Sequence, residues 1–154
     1  MNTEIAFISQ QLRDAYAGDP WFGRSVKSIL ADLDEIEVFE KLNRQHSILE
    51  ILWHIITWRE FVIDRLQPAK PMSYFEENDW RELDHSDKNL WPQGLERLRQ
   101  TQDELMLLLQ ERSDEILENI VADRKYNFRK LLHGLIQHDI YHLGQIAIIK
   151  KILL

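Results

Sequence analysis

The chain has 154 residues, 44% of them hydrophobic, which is enough to bury one core and indicates a single domain over 1–154. It has no cysteine, so disulfide scaffolds, thiolate metal sites and cysteine nucleophiles are excluded. A formal charge of -7 argues against nucleic-acid binding, which draws its affinity from clustered Lys and Arg.

The opening residues Met1 to Ala6 lack the basic and apolar regions of a signal peptide, and no apolar run reaches the roughly 18 residues of a membrane span. A cytoplasmic protein without a membrane association is expected. Helical apolar spacing starts near Thr3, breaks at Gly18-Asp19-Pro20 and resumes through Val26, Ile29, Leu30 and Leu33.

A second helix opens on Ser47-Ile48-Leu49-Glu50, a capping box in which serine and glutamate satisfy free donors of the first turn, and continues to about Leu66. From Gln67 to about Asn89 runs a polar connection carrying Tyr74, Phe75 and Trp80. A connection of that length crosses a bundle or covers a site. The third helix begins near Trp91-Pro92, since proline is tolerated in a first turn, and repeats Leu95, Leu98, Leu105 and Leu109. After a short piece around Ile116 to Ala122, Asn127 caps a last helix that ends with Lys150 and Lys151 at its negative pole. The expectation is an all-α four-helix bundle with a long connection between the second and third helices.

Histidines four residues apart on a helix point the same way, with Cβ atoms about 6 Å apart, and their ring nitrogens can converge on one ion. His138 and His142 have this spacing, on a stripe with Leu131, Leu135, Gln145, Ile149 and Ile152 that faces the bundle interior. His54 lies on the inward line of the second helix with Ile51, Trp58 and Phe61. Three imidazoles buried without partners are costly, and a divalent ion would offset that cost. Spacing alone leaves a second reading, core histidines that are hydrogen-bonded to neighbours.

Three protein ligands leave coordination positions open for water, a thiolate or a carbonyl oxygen. Glu50, one turn before His54, is the candidate catalytic base, although the capping box already employs it. Gln145 and Trp58 are the candidate substrate contacts; Trp58, with Trp53 and Trp91, also reads as core, and Trp80 and Trp21 as pocket walls. Asp139 lies off the stripe and is read as a solvated carboxylate or as an orienting partner for an imidazole on an adjacent helix. The basic cluster Arg124, Lys125, Arg129 and Lys130 either receives an anion or faces acidic residues elsewhere. Apolar residues on a second face of the last helix, Ile136, Ile140, Leu143 and Ala147, are available to neighbouring helices or to a second subunit. A di-iron carboxylate bundle is disfavoured, because the core helices lack paired Glu-x-x-His motifs.

The segments His46 to Trp58 and His133 to Ile146, with the specific motif His138 to Gln145, resemble the DinB-like (DinB/YfiT) superfamily of metal-dependent enzymes. The resemblance spans essentially the whole chain. It implies a four-helix bundle, commonly a homodimer, with one divalent ion (nickel, zinc or similar) held by His54, His138 and His142, and it leaves His46, His85 and His133 outside the site. It further implies a small-molecule substrate and a low-molecular-weight thiol cosubstrate, as in thiol S-transferases. A metal-dependent hydrolase and a noncatalytic, metal-stabilised stress-response module are the alternatives.

Overall fold

The computed structural model describes residues 3–153, and among these every regular element is helical. The α-helices are α1 (Thr3–Ala17), α2 (Val26–Ala31), α3 (Ile48–Leu66), α4 (Leu90–Gln110) and α5 (Phe128–Leu153), with 3-10 turns at Glu37–Phe39 and Asp114–Glu118. The break expected at Gly18 to Pro20 separates α1 from the short α2. A single antiparallel bridge, Ile120 with Asn127, precedes α5.

The helix starts follow local chemistry. Ser47 Oγ accepts from the Glu50 amide while Glu50 Oε2 accepts from the Ser47 amide, which is the reciprocal capping box. Asn127 Oδ1 accepts from the Lys130 amide and caps α5. The cap of α1 is non-local: Asp114 accepts from the amides of Thr3, Glu4 and Ile5, so the turn that follows α4 fastens the first helix.

The four long helices form a closed ring in which α3 packs on α4 and α5, and α1 packs on the same two, an arrangement compatible with a four-helix bundle. Arg59 on α3 meets Asp139 on α5, and Phe61 shares a cluster with Leu131 and Leu135, so α3 and α5 run antiparallel. By contrast, α3 and α4 are parallel: Glu60 pairs with Arg97, and the Leu66 carbonyl accepts from Arg112. Parallel neighbours cannot be joined by a short turn, and residues 67–89, which contain no helix, make the return. At Gly94 the α4 backbone packs directly against α3 side chains, since an added Cβ would stand 2.8 Å from Leu52 Cδ2 and 3.2 Å from Trp53 Nε1.

Two apolar clusters fill the bundle. One gathers Phe61, Leu105, Leu132 and their neighbours; the other gathers Ile51, Ile55, Leu98 and Ile146 with α2. Between them, at the middle of α3 and α5, lies a polar belt that contains His54, Arg59, His138, Asp139 and His142. Ile136 and Leu143, from the face offered above to a neighbour or a second subunit, are buried within this chain. Among the described residues no helix is long and apolar enough to cross a membrane.

Candidate metal centre

His54 sits two turns into α3, and His138 and His142 lie one turn apart at the middle of α5. Antiparallel packing brings them into one group in which the potential ligand atoms lie within 4.8 Å of one another. Ring centroids are 4.5 Å apart for His54 and His142, 4.5 Å for His138 and His142, and 4.9 Å for His54 and His138. His54 and His142 are buried and His138 is partly exposed, which leaves the group approachable from that side.

The partners of the rings fix how they present themselves. His54 Nδ1 lies 2.6 Å from the Asp79 carbonyl oxygen, and His142 Nδ1 lies 2.6 Å from Gln145 Oε1. Both are acceptors, so each ring carries its proton on Nδ1 and turns the Nε2 lone pair inward, as metal-ligating histidines do. His54 Nε2 then stands 3.1 Å from His138 Nε2. Two imidazole nitrogens at that separation need a positive particle between them, either a proton on one of them or a cation bound by both. Ligand nitrogens around a tetrahedral divalent ion at about 2.0–2.1 Å are about 3.3 Å apart, so the residues present fit such an ion.

Burial lowers the His54 pKa, with the neighbouring His138 acting the same way and the Asp79 carbonyl opposing it. Burial likewise pushes His142 down to about 4, against the opposing hydrogen bond to Gln145. Both rings are therefore neutral near pH 7, which is the ligating form.

Residues 67–89 complete the site. Trp80 stacks on His54 at 3.9 Å, and its other face is covered by His46 at 3.6 Å. Asp79 contributes its carbonyl to His54 and its Oδ1 to Trp58 Nε1 at 2.6 Å. Beneath the histidines, Arg59 and Asp139 form a buried ion pair at 2.9 Å, and Arg59 also donates to Gln102. Asp139 is thus only 2% exposed rather than solvated, because α3 presents a guanidinium to it. Its Oδ1 lies 4.0 Å from His138 Nδ1, and neither atom has a hydrogen-bond partner among the described residues.

Glu50 is not part of this group. Its carboxylate accepts from the Ser47 amide and pairs with Lys41 at 2.8 Å, with His46 and His85 at 3.7 and 4.0 Å. Burial alone would raise its pKa, but Lys41 and the Ser47 amide hold it below the usual carboxylate value. Gln145 orients His142, and Trp58 lines an apolar cavity that reaches His138. Trp21 is exposed and lines a separate surface pocket with Phe7, Phe22, Ile136 and Ile140, away from the histidines. Arg124 pairs with Glu76, and Arg129 with Glu4 and Glu118, so the two arginines of the basic cluster face acidic residues. His133 faces Glu4 at 3.5 Å, away from the three clustered histidines.

Sequence reasoning missed Asp79, whose backbone carbonyl has no residue-type signature, and the sandwich of Trp80 between His46 and His54. A model of the DinB superfamily matches residues 23–146. No curated protein and no solved structure matches the chain.

Proposed function

Because the chain belongs to the DinB superfamily and gathers His54, His138 and His142 with their potential ligand atoms within 4.8 Å of one another, we propose that it is a divalent-metal enzyme that uses a low-molecular-weight thiol. The observation that carries this reading is that Nδ1 of His54 and of His142 each faces an acceptor oxygen, which leaves Nε2 to the interior of the group, where among the described residues His138 Nε2 is the partner of His54 Nε2.

His54, His138 and His142 would hold the ion, with nickel or zinc both suited to imidazole nitrogen. When bound, such an ion supplies a Lewis acid that lowers the pKa of a thiol or water brought to it. The chain has no cysteine, so the thiol must come from outside. Trp80 shields the outer face of the His54 ring from water, and the Asp79 carbonyl and Gln145 keep two rings from turning. The cavity beside His138 gives an electrophile an apolar approach to the same point.

Elemental analysis of protein purified from its native host, followed by metal titration, tests the centre. About one divalent ion per chain is expected, and a protein that neither carries nor binds an ion sinks the reading. Supplying a thiol and an electrophile to metal-loaded and metal-stripped protein tests the reaction. Equal rates in the two would remove the enzymatic role while leaving metal binding to stand on its own measurement.

A further inference from the structure

The cavity beside His138 has a volume of about 210 Å³. Trp58, Phe61 and Val62 wall it from α3, Leu131 and Leu135 from α5, and Tyr126 from the turn before α5. An apolar engineered cavity of about 150 Å³ holds benzene, so this one accommodates a single ring with a short arm.

Three further lining residues, Lys130, Gly134 and His138, recur every four positions and so follow one face of α5. Eight residues at 1.5 Å rise separate the first from the last by about 12 Å along the axis. Gly134, between them, is unexplained by the fold. It lies in the interior of a helix, where glycine is unfavourable, and an added Cβ would meet nothing within 4 Å. Neither close packing nor backbone conformation asks for glycine there, whereas a side chain would enter the cavity. Lys130 is exposed and has no carboxylate partner among the described residues, in contrast to Arg124 and Arg129 beside it. Its ammonium stands 5.8 Å from the centre of the Tyr126 ring, at the cavity wall.

We propose that this groove binds a small molecule with one aromatic ring and a short anionic arm. The ring lies over Gly134 against Trp58 and Phe61, the arm pairs with Lys130, and the far end of the ring faces His138. The inference rests on the metal-enzyme reading and narrows its second substrate to an aromatic acid. Lys130 is a binding residue, and Gly134 keeps space open; neither touches the metal ligands' own hydrogen bonds.

The test uses nickel-loaded protein with three probes of one shape: 3-phenylpropionate, the uncharged 3-phenylpropanol and the cationic 3-phenylpropylamine, followed by tryptophan fluorescence and calorimetry. The propionate is expected to bind at least about fivefold more tightly than the alcohol, with the amine weakest, since the ion pair with Lys130 favours only the anion. Lys130→Gln should erase the difference between propionate and alcohol. Gly134→Leu should weaken both at least about tenfold by filling the groove. Should Gly134→Leu fail to fold, Gly134→Ala serves instead, with a higher melting temperature and about threefold weaker binding expected. Unchanged binding in the folded Gly134 variant, or an amine that binds as tightly as the propionate, overturns the proposal. Nickel affinity, titrated separately, should be the same in all variants; loss of it in the parent protein would condemn the metal reading, whereas a silent groove with intact nickel binding condemns only this one.

Discussion

Gln145 Oε1 lies 2.6 Å from His142 Nδ1, one turn along the same helix. The contact makes a neutral amide the orienting partner of a buried imidazole whose own protonation is suppressed by burial. Gln145→Leu removes the acceptor, frees the ring to turn and is expected to weaken metal binding about 10–100-fold. Gln145→Glu keeps an acceptor in place and should retain most of the affinity. Competition titration with a chromophoric chelator reads both, and a Leu variant with parental affinity would deny Gln145 this part.

Removing one of the three imidazoles is a harsher change. His54→Ala is expected to abolish measurable metal binding while the metal-free protein keeps its fold, since the ring's hydrogen bond to Asp79 and its stack on Trp80 engage the 67–89 connection and not the apolar clusters between the helices. Circular dichroism and metal titration separate the two effects. In the parent, stripping the ion should lower the melting temperature, because a ligand held only by the folded state stabilises it; in His54→Ala, chelator should have no effect.

Arg59 and Asp139 are each 2% exposed. Loss of one partner strands the other's charge in the bundle, so Arg59→Met is expected to destabilise the fold by about 3–5 kcal/mol in urea unfolding. Replacing both, as Arg59→Met with Asp139→Leu, should recover most of that loss. A double variant no better than the single one would mean that Asp139 has a further partner worth as much as the guanidinium.

Acidification should weaken the metal-free protein in a defined window. Unfolded histidine takes up a proton near pH 6.5, while folded His142 resists until about 4 and His54 is shifted in the same direction. Between these values the unfolded chain binds more protons, so stability falls as pH drops from about 6.5 towards 4 and is insensitive to these rings above it. His142→Leu should flatten the slope in that window. Asp114, whose carboxylate is held low chiefly by the Ile5 amide, adds a loss of the same sign at lower pH.

Asp114→Ala tests the non-local cap directly. Without the carboxylate, three amides at the start of α1 lose their acceptor, and a fall of about 2–8 °C in melting temperature is expected. Metal affinity should be unchanged, since the cap lies far along the bundle from the histidines.

What could be read before the structure follows a simple physical division. Signals that act within one or two helical turns were legible: the capping box at Ser47 and Glu50, the cap at Asn127, and the inward stripe that pairs His138 with His142. Contacts made between helices were not. Asp139 was read partly as a solvated carboxylate because nothing in its own helix shows that Arg59 will face it from α3. Glu50 looked available to the site from its place one turn before His54, yet Lys41 and the helix start engage it. Asp79 acts through its backbone, so its side chain could not announce it.

The passage of residues 67–89 beside the histidines has a thermodynamic corollary. Asp79 and Trp80 dock on the His54 ring, so lifting this stretch would release the ring's Nδ1 and expose its face. Occupancy of the centre and docking of the connection are therefore linked equilibria, each strengthening the other by the same factor. A protease that cuts between α3 and α4 would thus report metal saturation, with cleavage slowing as the ion is added.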